Sequence, residues 1–135
     1  KTNPPPNLAC RCFTHSTETI LWARKNEKKF RHFFNYQKMK EMNGGKQMKD
    51  VWTGSLTKPS EKIEGKHPTQ KPEYLLERIV LASTGEGQVI LDPFCGSGTT
   101  GVEAVRFGRK FIGIDVSEEY LEISKRRLEK VANDK

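Results

Sequence analysis

Two carboxylates and a glycine-rich turn stand in a pattern that can hold a nucleoside. Asp92 ends the apolar run Val89-Ile90-Leu91, and Pro93-Phe94-Cys95-Gly96-Ser97-Gly98-Thr99-Thr100-Gly101 follows it ahead of a helix-like stretch. A strand that leads into such a turn and then into a helix N-terminus presents unpaired backbone N–H groups to a ligand, and glycines allow close approach. A second acid, Asp115, ends the next apolar run, Phe111-Ile112-Gly113-Ile114. There a carboxylate can accept hydrogen bonds from both hydroxyls of a ribose.

Three ligand classes compete for the turn. A phosphate loop requires G-x-x-x-x-G-K-[ST], and no lysine follows Gly98 or Gly101. The dinucleotide fingerprint is met formally by Gly96-x-Gly98-x-x-Gly101, but Asp92 places a carboxylate where a pyrophosphate has no use for one. That acid suits a ligand carrying positive charge. S-Adenosylmethionine has a sulfonium and an ammonium group, so Asp92 and the turn backbone would hold its methionine end and Asp115 its ribose.

The elements that must position these groups are legible mainly in the second half of the chain. Pro72 opens a helix with Leu75, Leu76, Ile79 and Val80 on one face, closed by Gly85. A strand over 89–92, the turn, a short helix bearing Val102 and Val105 with a stop at Gly108, and a strand over 111–114 follow. Ser117 then caps an amphipathic helix whose apolar side carries Tyr120, Leu121, Leu128 and Val131. Strand, helix, strand, helix builds a parallel sheet with right-handed crossovers. Upstream, residues 17–24 read as a buried strand and 30–36 as a further one, while 39–66 reads as a mobile loop with a turn at Gly44-Gly45. The glycine turn comes late, because a Rossmann-type sheet ordinarily opens with it and only 34 residues follow Gly101.

With 135 residues the chain is one domain at most, and no apolar run approaches the roughly 20 residues that span a bilayer. No signal-peptide pattern opens it, so a cytoplasmic location is expected. Cys10, Cys12 and Cys95 are an odd set without metal-ligand spacing, so neither a disulfide framework nor a metal site is expected. The net charge of +7 sits within residues 24–49, where nine basic residues face only Glu27 and Glu41. That stretch also carries Phe30, His32, Phe33, Phe34 and Tyr36, so it reads either as a surface for phosphates and bases or as a solvated loop with core aromatics. Trp22 and Trp52 are expected to pack rather than to stack on bases.

Asp92-Pro93-Phe94-Cys95-Gly96-Ser97-Gly98-Thr99-Thr100 closely resembles the D-P-F-x-G-S-G-T-T cofactor motif of amino-methylating DNA methyltransferases. His67-Pro68-Thr69-Gln70-Lys71-Pro72 is similar to the H-P-T-Q-K-P element that precedes it in the permuted, β-type members, and Lys110–Asp115 with Glu119, Tyr120 and Arg127 resembles the next strand and helix. Asn3-Pro4-Pro5-Pro6 and Glu18–Ala23 look like the family's central strands. The resemblance implies a Rossmann-like S-adenosylmethionine-dependent methyltransferase fold of permuted order, with an incomplete sheet, within a single domain fragment over 1–135. Residues 24–65 would form a target-recognition region and 66–135 the cofactor half. It assigns Asp92, Phe94, Gly96, Ser97, Gly98, Thr99 and Thr100 to the methionine end, Asp115 to the ribose, and His67, Thr69 and Lys71 to the outer rim. Arg24, Lys25, Lys28, Lys29, Arg31, Lys38 and Lys40 would contact double-stranded DNA.

The family's catalytic D-P-P-Y or S-P-P-Y does not occur in this sequence, and Asn3-Pro4-Pro5-Pro6 lacks its aromatic platform. No catalytic residue is therefore assigned, and the chain alone is expected to transfer no methyl groups. The first residue is Lys rather than Met. The expectation is the C-terminal part of a longer enzyme, adenine N6 favoured over cytosine N4, or one piece of a split enzyme whose partner carries the motif. A non-catalytic DNA- or cofactor-binding subunit is the alternative, and a nicotinamide dehydrogenase domain is disfavoured by Asp92. Open sheet edges also make a homodimer an expected risk.

Overall fold

The computed structural model describes residues 1–25 and 31–134. Strands β1 (Val89–Asp92) and β2 (Lys110–Gly113) pair in parallel, with Val89 opposite Lys110 and Asp92 opposite Gly113. Helix α3 (Thr99–Arg106) connects them. Helices α1 (Tyr36–Met42) and α2 (Glu73–Ser83) precede the sheet and α4 (Glu118–Asn133) follows it. A 3-10 turn spans Pro59–Lys62.

The period-two alternation of the strands decides which residues meet the helices. Ile90 and Phe111 are half-buried, whereas Val89, Leu91, Ile112 and Ile114 on the other face are each more than half exposed. Among the described residues the sheet therefore has two strands and one covered face. Parallel sheets are ordinarily covered on both.

Helix α3 is the centre of packing, with Val102, Glu103 and Ala104 almost inaccessible. Gly101 permits this: a Cβ there would stand 2.5 Å from the Phe111 ring and 3.0 Å from Leu128. The helix is thus wedged between β2 and α4. Ser117 caps α4 as expected, its hydroxyl accepting from the Tyr120 amide at 3.3 Å, and Ile123, Ser124 and Arg127 are the buried residues of that helix. Pro72 stands at the N-cap of α2 rather than inside its first turn.

The upstream half departs from expectation. Residues 17–24 form no strand; Ile20 is 51% exposed and Leu21 89%. A strand is defined by its ladder, and no partner lies beside this segment among the described residues. Residues 31–35 likewise form no strand, and residue 30 lies outside the described residues. Helix α1 begins at Tyr36 instead, because the Asn35 side chain accepts from the Lys38 amide at 3.1 Å. Met39 packs on Leu81 and Ala82 of α2 with Met42 beside them, so part of the expected loop is ordered by an apolar core. The turn at Gly44-Gly45 forms as read, both residues taking positive φ.

Candidate functional site

A cleft of about 190 Å³ lies where β1 and β2 end, and it gathers ten of the eleven residues singled out for a ligand. Asp92, Phe94, Gly96, Ser97, Thr99 and Thr100 come from the turn, Asp115 from the exit of β2, and His67, Thr69 and Lys71 from the loop before α2. Gln70, Leu76 and Cys95 complete the lining. Gly98 is the exception, since it backs onto α4 behind the cleft.

Both acids shape the turn as well as facing the cleft. Asp92 accepts from the Phe94 amide at 3.1 Å and from the Thr100 hydroxyl at 2.7 Å. Thr100 therefore orients the carboxylate beside it. Asp115 accepts from the Gly96 amide at 2.8 Å and from the Ser117 amide at 3.0 Å, tying the turn to the exit of β2. The Ser117 and Gly96 amides, in that order, hold its carboxyl below the usual range, so it is ionised at neutral pH. An ionised carboxylate offers about four lone-pair sites. Each acid therefore keeps acceptor capacity for a ligand. Gly98 stands at the N-cap of α3 and offers no side-chain cap, leaving the helix's first N–H groups to another partner. Burial, then the charges of Asp92 and Asp115, push the Cys95 thiol upwards.

The loop before α2 is held from several sides. The His67 ring meets Tyr120 edge-on at 4.2 Å, its Nδ1 accepts from the Thr69 amide at 3.3 Å, and its Nε2 lies against Gly96. Gln70 is buried and donates to the Glu61 carbonyl at 2.7 Å. Lys71 lines the cleft but spends its ammonium on Glu18, 2.9 Å away. Glu18 also meets Lys1 at 2.7 Å, and the two ammonium partners bring its carboxyl down to about 2. Lys71 thus fastens the segment at Glu18 to the cleft rim.

Among the described residues, none of the basic residues expected at DNA lines this cleft. Arg24, Lys25 and Arg31 are exposed, Lys40 is half-buried, and Lys38 pairs with Glu41 at 3.7 Å. Lys28, Lys29 and Phe30 lie outside the described residues. Trp22 contacts His32 and Phe34 while remaining 60% exposed, and Trp52 lies under the Arg78 guanidinium at 4.8 Å. Arg127, which the sequence marks only as part of the resemblance around α4, and Glu73, which it does not mark, sit directly behind the turn.

A strand, a turn entered through an acid, and a second acid one strand later thus meet at one cleft in an α/β fold. The chain belongs to the N6/N4 family of DNA methylases, whose family model, described as DNA methylase, matches residues 1–126. It is 76% identical to the type II methyltransferase M2.LlaDCHI of Lactococcus lactis subsp. cremoris over 98% of this chain and 49% of that protein. It is 54% identical to M2.MboI of Moraxella bovis over 97% of this chain and 48% of that protein. The chain therefore spans about half the length of the curated relatives it matches. The crystal structure of the M1.HpyAVI–SAM complex superposes with a TM-score of 0.70 at 37% identity, covering 95% of this chain and 58% of the other. No helix among the described residues is long and apolar enough to cross a membrane.

Proposed function

We propose that this chain is the S-adenosylmethionine-binding part of a DNA amino-methyltransferase acting on double-stranded DNA, adenine N6 favoured. The observation that carries the reading is the pair of carboxylates across one cleft, Asp92 on the turn and Asp115 after β2, each with acceptor capacity left. The donor set fits the group. Asp92 suits the ammonium of the methionine end, the uncapped start of α3 suits its carboxylate, and Asp115 suits the ribose hydroxyls. When bound, the cofactor supplies an electrophilic methyl group on sulfonium.

This chain's own residues bind and orient. Thr100 sets the angle of Asp92, while Asp115 locks the turn through the Gly96 amide. The cleft volume of about 190 Å³ falls below the roughly 300–1,000 Å³ of small-molecule pockets, which fits one wall of a larger site. On this reading the groups that hold a flipped base and prime its exocyclic nitrogen belong to the remainder of the protein or to a partner subunit. The exposed cations Arg24, Lys25 and Arg31 are assigned to phosphate contacts, with Lys28, Lys29, Lys38 and Lys40 beside them in sequence.

Titration of the full-length protein with S-adenosylhomocysteine by calorimetry is expected to show binding that Asp115→Ala weakens by about tenfold or more, the scale of a charged hydrogen bond. Tighter binding of NAD than of S-adenosylhomocysteine would overturn the reading.

A further inference from the structure

Behind the cleft, on the side away from its opening, four charged side chains from three helices form a continuous chain that ends on the turn. Arg127 of α4 is 5% exposed and does not line the cleft. Its Nη1 donates to the Ser97 carbonyl at 2.7 Å and to the Thr99 hydroxyl at 3.1 Å. Its Nη2 donates to Glu73 of α2 at 3.0 Å. The other oxygen of Glu73 accepts from Arg106 of α3 at 2.9 Å, and Arg106 reaches Glu103 at 2.5 Å.

Burying a guanidinium costs several kcal/mol unless its donors are matched, and here Nη1 is matched by the turn and Nη2 by Glu73. A carbonyl and a hydroxyl two residues apart are gripped by one planar nitrogen, while the second nitrogen is fixed from α2. Between them Gly98 takes a left-handed conformation, φ 74°. The grip fixes the Ser97 and Thr99 groups on either side of that residue, the point where the turn becomes helix.

We infer that Arg127, aimed by Glu73, is a positioning residue for the ligand turn: it holds the Ser97–Thr99 backbone in its binding geometry from behind, without touching the ligand. This rests on the cofactor reading above. A lysine at 127 keeps the positive charge but is a point donor that cannot span the turn and Glu73 in the same fork.

The test is the affinity of the full-length protein for S-adenosylhomocysteine by calorimetry, with Arg127→Lys, Glu73→Gln and the double variant. Measurements are made well below every thermal midpoint, where lost stability alone leaves the folded population, and hence the affinity, unchanged. Arg127→Lys is expected to bind about tenfold or more weakly and Glu73→Gln about threefold, with the double variant no weaker than Arg127→Lys because both act through one fork. A folded Arg127→Lys protein within about twofold of the unaltered one, or losses that simply multiply in the double variant, overturns the inference while the cofactor reading stands. If the unaltered protein binds no S-adenosylhomocysteine, both fall. Should Arg127→Lys not fold, Glu73→Gln decides alone, and unchanged affinity overturns the inference.

Discussion

Gly98→Ala is expected to lower the unfolding free energy of the protein by about 2–5 kcal/mol, read as a shift in the denaturant midpoint at unchanged slope. Two costs combine. Gly98 sits at φ 74° and ψ 27°, a left-handed conformation that costs a residue with a Cβ roughly 1–2 kcal/mol. The added Cβ would also stand 2.1 Å from the Ser124 hydroxyl, 2.8 Å from its Cβ and 3.1 Å from its Cα. The hydroxyl could rotate away, but the Cα belongs to the backbone of α4, so the turn and α4 must separate; overpacking of that kind costs roughly 1–3 kcal/mol. Ser124→Ala in the same background removes the nearest contact and is expected to restore only part of the loss. A single variant within 0.5 kcal/mol of the unaltered protein would contradict the close approach, taking that margin from ordinary surface substitutions.

Glu103 is expected to make stability depend on pH near neutrality. Its side chain is fully buried on α3, with one oxygen on Arg106 and the other without a partner. Burial, helped by the nearby charges of Glu73 and Glu77 and opposed by Arg106, pushes its carboxyl up to about 7 from 4.5. The desolvation of a half-satisfied carboxylate thus outweighs its ion pair. Because the folded state binds the proton more tightly than the unfolded chain, folding takes up a proton between about pH 4.5 and 7. The neutral carboxyl's contribution is full below the lower value and is lost as pH rises through the upper one. The full span corresponds to on the order of 3 kcal/mol. Glu103→Gln keeps the shape and removes the titration, so its stability is expected to gain on the unaltered protein from pH 5 to 7 and to level off by pH 8. Parallel stability curves in urea at pH 5, 6, 7 and 8 would rule this out.

These two residues show where sequence reading stops. Glu103 looks like an ordinary exposed acid on an eight-residue helix, because its neighbours in sequence do not reveal that α2 and α4 cover it. Gly98 sits within a fingerprint that suggests close ligand approach, whereas the contact it permits is with Ser124. Arg127 carries the same lesson: a cation at a buried helix position becomes intelligible only when the Ser97 carbonyl and Glu73 are seen facing it.

Legibility followed locality. Asp92 through Thr100 are contiguous, so their roles in the turn depend on chain geometry within a few residues. The boundaries of β1 and α4 followed from apolar patterning and from Ser117 as a cap. The misread strand at 17–24 depends on a neighbour distant in sequence, and α1 was overlooked because Asn35 and Met39 signal a helix only weakly against basic, aromatic surroundings. Residue order alone thus placed the glycine turn and an acid after each strand, since these rest on local geometry and spacing, and motif resemblance pointed to the family. The tertiary structure decided which acids face the cleft together, that Lys71 spends its charge on Glu18, and which buried charges stand behind the turn, because burial and ion pairing arise only where distant segments meet.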